Sequence, residues 1–195
     1  MGKDRIEVVG NRVAAARKTY LMMNKPRGVL TTASDEKNRK TIYSLLREQA
    51  GWLAPVGRLD MASEGLLLLT NDTEWGARIS APESHVDKTY HVQIAAVATE
   101  DLPRRLKSGV TTKDGDFLVV KHANILRHGA KNSWLEIVLD EGKNRHIRRM
   151  LGELGIEVLR LVRVAIGRVE LGDLPKGQVR ELTSKEREAL SRVPR

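Results

Sequence analysis

Three short stretches hold residue types that covalent or acid–base chemistry uses. The first is Pro55-Val56-Gly57-Arg58-Leu59-Asp60, followed by Met61-Ala62-Ser63-Glu64-Gly65 and an apolar run. An acid between a flexible glycine and a buried strand has two readings. It is a reactive carboxylate at a cleft edge, or a turn aspartate bonded to its own backbone. The second stretch is Glu141-Gly142-Lys143-Asn144-Arg145-His146-Ile147-Arg148-Arg149-Met150. Its cations crowd the start of a helix, where the dipole favours anions. That placement fits phosphate binding, a counter-charge for a buried carboxylate, or a solvated basic face. Arg148 adjoins apolar Ile147, so it is expected to point inward at the core edge. The third is Lys88-Thr89-Tyr90, where Tyr90 lies one strand pleat from Lys88. Taken alone, Tyr90 reads as a packed strand aromatic.

Other chemistries lack support. The five histidines form no i,i+4 pair and no acidic cluster of ligand spacing accompanies them, so no metal site is expected. Neither a G-x-x-x-x-G-K-[ST] loop nor a G-x-G-x-x-G turn is present, so no nucleotide cofactor is expected. The absence of cysteine excludes disulfides and thiolate metal sites and suits a reducing cytosol.

The elements that must position these residues follow from periodicity. Tyr20 to Asn24 reads as a strand, with a turn at Lys25-Pro26-Arg27-Gly28 and extended chain at Val29 to Thr32. Ile42, Leu45 and Leu46 have helical spacing within residues 41–47. Residues 52–59 are extended around Pro55, and Leu66 to Thr70 is a buried strand. Asn71-Asp72 caps a helix that runs to Ile79. Lys88 to Ile94 alternates as a strand, and a helix capped at Thr99 ends at Gly109. Phe117 to Leu126 and Ser133 to Leu139 form a hairpin across Gly129 to Asn132. Asn144 to Leu154 is a helix with the stripe Ile147, Met150, Leu151 and Leu154, closed by Gly155. Val158 to Leu161, Val164 to Leu171 and Val179 to Leu182 are extended, and a last helix begins at Ser184. The interleaving without βαβ spacing predicts an α+β fold on a mostly antiparallel sheet. A lobe division is expected near residues 95–115.

A formal net charge of +9 points to a polyanionic partner. With 4% aromatic residues and one Phe, a broad stacking platform for single strands is not expected. The charged start, Met1 to Arg5, has no signal-peptide core, and the longest apolar run, Gly65 to Leu69, cannot span a bilayer. A soluble, cytoplasmic protein without membrane contact is expected.

Taken together and in order, these stretches resemble the RsuA-type pseudouridine synthases of ribosomal RNA. The residues that carry the resemblance are Asn24 to Val29, Pro55 to Asp60, Glu64 to Asp72, Lys88 to Tyr90, Glu141 to Met150 and Leu161 to Gly167. The resemblance spans about Tyr20 to Leu190, so residues 20–195 are expected to form the catalytic domain. It implies a pseudouridine synthase fold, with helices flanking the sheet and two lobes around a catalytic cleft. By the same resemblance Asp60 is the nucleophile, Tyr90 the active-site tyrosine, Arg148 the basic residue that pairs with Asp60, and Leu161 the apolar residue beside the uracil. Arg58 matches the arginine of the aspartate motif, and Lys143, Arg145, His146 and Arg149 are candidates for RNA-backbone contacts. The implied reaction is redox-neutral and needs no cofactor. The implied partner is ribosomal RNA or a pre-ribosomal particle, with the large subunit favoured, bound by a monomer.

Many relatives carry a small RNA-binding domain of the ribosomal-protein-S-four type ahead of the catalytic part. Residues 1–19 are a short tail, and Ile6 to Val13 resembles the last strand-turn of such a domain. A non-catalytic RNA-binding or ribosome-assembly factor would explain the charge and the basic helix equally well. It would not explain Asp60, Tyr90 and Arg148 standing together in matching places.

Overall fold

The computed structural model describes residues 17–33, 36–46 and 52–191, with residues 7–8 and 11–12. In the tail, β1 (Glu7–Val8) pairs antiparallel with β2 (Asn11–Arg12). The rest of the expected strand-turn, Ile6, Val9, Gly10 and Val13, lies outside the described residues, as does Arg47.

One sheet carries the molecule. Its strands are β3 (Tyr20–Lys25), β4 (Ala54–Val56), β5 (Glu64–Thr70) and β6 (Lys88–Ile94). A separate two-stranded sheet of β7 (Val110–Thr111) and β8 (Phe117–Leu118) interrupts the count. The main sheet then continues with β9 (His122–His128), β10 (Ser133–Leu139), β11 (Val158–Ile166), β12 (Val169–Glu170) and β13 (Val179–Glu181). The order is β13-β3-β5-β11-β6-β10-β9, with β4 on β5 and β12 on β11. Among the strands of the described residues only the β5–β11 pairing is parallel, so the fold is α+β and mostly antiparallel, as expected. The α-helices of the described residues are α1 (Thr73–Ser80), α2 (Asp101–Ser108), α3 (His146–Glu153) and α4 (Ser184–Ser191).

Burial explains why β5 reads as an unbroken apolar run. Leu66 and Leu68 pack with Trp75 and Ile79 of α1 and Leu190 of α4, while Leu67 and Leu69 pack with Ile42, Leu53 and Leu59. A strand buried on both faces has no polar side to alternate with. The other half of the sheet packs one apolar cluster, including Val92, Ile94, Leu135 and Ile137, against Leu106 of α2 and Met150 and Leu151 of α3. The segment 95–115 holds α2 and β7, and its Leu102 and Leu106 belong to that same cluster.

Several local expectations shift. The helical spacing at 41–47 yields a single 3-10 turn, Ile42–Leu45, with Ile42 as its one buried residue. One buried position anchors too little apolar surface to propagate a helix whose nucleus is costly. The helix expected from Asn144 begins at His146, because Arg145 takes a left-handed conformation with φ 50°. Strand β11 runs unbroken through Leu161 to Val164, and the expected strand at 117–126 divides into β8 and β9. The Asp72 cap forms as expected, accepting from the Trp75 backbone N–H at 3.2 Å.

Candidate active site

The loop between β4 and β5 carries Asp60, and its backbone is held along its length. Five consecutive carbonyl oxygens, from Leu59 to Ser63, each accept a hydrogen bond. Thr31 Oγ1 donates to Leu59 O at 2.7 Å. Lys25 Nζ donates to Asp60 O at 3.1 Å and to Ser63 O at 2.9 Å. The Gly28 amide donates to Met61 O at 2.7 Å, and Arg148 Nη2 to Ala62 O at 2.9 Å. With its carbonyls satisfied, the loop has little to gain by refolding. The Asp60 carboxylate, by contrast, forms no ion pair among the described residues and projects, exposed, into a cleft of about 480 Å³.

Sequence reasoning missed the role of Lys25, although it lies in the Asn24-Lys-Pro-Arg-Gly28 stretch. Its side chain is fully buried at the end of β3, an unusual place for an ammonium group. Burial pulls its pKa down from 10.5 to about 8, against the raising influence of the Asp60 and Glu64 carboxylates. The signal available was position: a lysine after four apolar or amide residues of a buried strand and directly before proline.

Arg148 behaves differently from the expectation of a fork on the aspartate. Its guanidinium bonds Ala62 O and, at 3.3 Å, Val158 O. Burial lowers its pKa, Arg145 lowers it further, and the Asp60 charge raises it. Arg148 thus reaches Asp60 through space and through the loop it grips. Asp60 itself is exposed in the open cleft.

The cleft brings most of the candidate residues together. Arg58, Asp60, Tyr90, Lys143, Arg145, His146 and Leu161 all line it, with Ile147. Leu161 is buried on β11 opposite Val92, and Tyr90 on β6 touches the apolar clusters of both sheet halves. Arg58, Lys143 and Arg145 are exposed at the rim. His146 and Arg149 do not fit the expected backbone-contact role. His146 is 5% exposed, and burial and Lys143 lower its pKa, which favours a neutral ring. Arg149 does not line the cleft; its guanidinium pairs with Asp116 at 2.6 Å and ties α3 to the β7–β8 hairpin.

The cleft thus sets a carboxylate beside an aromatic wall and a cationic rim. Residues 19–153 match the family described as RNA pseudouridylate synthase, and the chain belongs to that family of isomerases. It is 36% identical to the ribosomal large subunit pseudouridine synthase B of Bacillus subtilis (strain 168), over 95% of this chain and 76% of the relative. It is also 36% identical to the ribosomal large subunit pseudouridine synthase E of Vibrio parahaemolyticus, over 88% of this chain and 76% of the relative. A crystal structure of a pseudouridylate synthase superposes with a TM-score of 0.77 at 34% identity, covering 89% of this chain and 74% of that one.

Among the described residues no helix is long and apolar enough to cross a membrane.

Proposed function

We propose that this chain converts a specific uridine of large-subunit ribosomal RNA to pseudouridine, with Asp60 as the covalent catalyst. The observation that carries the reading is the loop in which every carbonyl from Leu59 to Ser63 is taken while the Asp60 carboxylate stands free in the cleft. The large-subunit substrate of the two named relatives supports the choice of RNA.

The target nucleotide leaves its stack to enter the cleft. Its base lies between Tyr90 and Leu161, and Arg58, Lys143 and Arg145 meet the flanking phosphates. A carboxylate both attacks and leaves readily, which suits a reaction that breaks one glycosidic bond and makes another. Lys25 and Arg148 hold the loop that presents the carboxylate, through the Asp60, Ala62 and Ser63 carbonyls. Tyr90 stacks on the base and assists removal of the proton from carbon 5. Phenylalanine at position 90 separates these two tasks.

Mapping pseudouridine in ribosomal RNA from cells that lack the gene tests this reading. One large-subunit site should lose its modification, regain it with the wild-type gene, and stay unmodified with Asp60→Asn. Restoration by Asp60→Asn would assign the chain to RNA binding or ribosome assembly.

A further inference from the structure

The floor of the cleft holds two cations to which the account so far gives no task. Arg163, on β11, is 5% exposed and lines the cleft. Its Nε donates to Leu66 O at 2.8 Å, but its Nη2 is buried without a hydrogen-bond partner. Lys88, at the start of β6, lines the same cleft half-buried, and among the described residues its Nζ reaches only the Asp140 carbonyl, at 3.4 Å. Both flank Tyr90: Arg163 is its partner across the β11–β6 ladder, and Lys88 is one pleat away on its own strand.

The carboxylates that act on Lys88, Asp140 and Asp87, are engaged elsewhere. Asp87 is held by Lys121 at 2.7 and 3.0 Å, and the Asp140 carboxylate faces His85 at 3.8 Å. Neither Arg163 nor Lys88 forms an ion pair among the described residues, and burial first, then the Arg163 charge, lowers the Lys88 pKa. A buried guanidinium nitrogen without an acceptor costs free energy unless something else supplies one. Two such cations beside an aromatic wall form a site for a negative or strongly accepting group.

We propose that Arg163 and Lys88 bind the carbonyl oxygens of the target uracil and stabilise the charge that develops on the base when its bond to ribose breaks. This rests on the reading of the cleft as the site of uridine chemistry. The depth of the pair selects a base rather than a backbone phosphate, because a flipped base enters first and the chain behind it meets Arg58, Lys143 and Arg145 at the rim. The bond from C1′ to N1 breaks and its electron pair stays on uracil, spread over N1, O2 and O4. A carboxylate oxygen of Asp60 bonds to C1′. The held anion turns, C5 bonds to C1′ and the carboxylate leaves. The proton on C5 departs and N1 gains one. Charge appears on the base only between the two bond changes, so donors aimed there act on the transition state rather than on binding.

The test is single-turnover conversion of a ribosomal RNA fragment, with the dissociation constant measured in parallel, for wild type, Arg163→Gln, Lys88→Met and Asp60→Asn. Arg163→Gln should slow conversion by about 10²- to 10³-fold, the loss seen on removing one donor to a developing anion. Lys88→Met should slow it by about tenfold, and both should bind RNA within about threefold of wild type. Sulfur in place of O2 or O4 of the target uridine is a poor acceptor. One of the two thio-substrates should slow wild type yet add little to the loss in Arg163→Gln, because both changes remove the same contact. If Arg163→Gln does not fold, by its thermal midpoint, Lys88→Met and the thio-substrates decide. Wild-type rates, or losses confined to the dissociation constant, would overturn this proposal. Should Asp60→Asn be inactive while Lys88→Met and Arg163→Gln convert normally, this inference alone fails. Should Asp60→Asn convert RNA, the reading beneath it fails too.

Discussion

Two loops face each other across the cleft, and they are built in opposite ways. In the loop that carries Asp60, backbone carbonyls from residue 59 to residue 63 are all captured, by a threonine, a glycine amide and two cations. In the loop leading into α3, residues 141–145 are exposed, and the side chain of Lys143 has only a 3.3 Å bond to Phe117 O. One loop spends its cations on fixing a single acid; the other leaves its cations to solvent. The difference matches what each must meet. A reacting atom has to be placed within fractions of an ångström. An RNA backbone is met by charge and needs little preset geometry. Arginines 148 and 145 lie three residues apart, yet one belongs to each regime.

The comparison breaks most severely at Gly65. This residue pairs with Arg163 in the β5–β11 ladder with φ +104°, and a side chain there would run into the Arg163 carbonyl. Gly65→Ala should cost about 4 kcal/mol or more, read from denaturant unfolding, since neither backbone can yield.

Lys25→Met comes next. It leaves the Pro26 and Ser63 carbonyls without their ammonium donor, for a loss of about 2–3 kcal/mol and a larger loss of turnover as the loop shifts. Its pH dependence carries the sign of the depressed pKa. Between about 8 in the folded protein and 10.5 in the unfolded chain, the unfolded state holds a proton that the folded state has released. Unfolding free energy of wild type, relative to Lys25→Met, should therefore rise with pH across that interval and be flat below it.

Smaller effects sharpen the contrast. Arg148→Lys keeps the charge but cannot bridge Ala62 O and Val158 O together, so turnover should fall by about tenfold with little change in RNA affinity. At the rim, Lys143→Ala and Arg145→Ala should each weaken RNA binding a few-fold and lower the salt slope by about 1, with turnover of bound RNA unchanged. Arg149→Ala, whose side chain is occupied by Asp116, should leave that slope as it is.

Much of this was legible in the residues and some was not. The strand at Lys88 to Ile94 and the Asp72 cap follow from local pattern, because both are decided within a few residues. For Asp60 the residues leave two readings open, a cleft-edge carboxylate or a turn aspartate, and the structure sets it on the lining of the cleft. The carbonyl clamp could not be read. It joins Lys25, Thr31 and Arg148 to one loop across separations of 28 to 86 residues, and no periodicity reports such a contact. His146 misled for a related reason: a basic run suggests a uniform exposed face, yet the first turn of α3 buries His146 and Ile147 and leaves Arg145 outside.

The central claim is that the clamped loop exists to present one carboxylate. Single-turnover conversion of saturating RNA by Asp60→Asn, with affinity and thermal midpoint measured alongside, addresses it most directly. Asparagine keeps the shape and loses the charge. The account predicts conversion reduced by at least about 10³-fold, with binding and stability close to wild type. Conversion at a rate near wild type, by a folded variant that binds RNA normally, would contradict it.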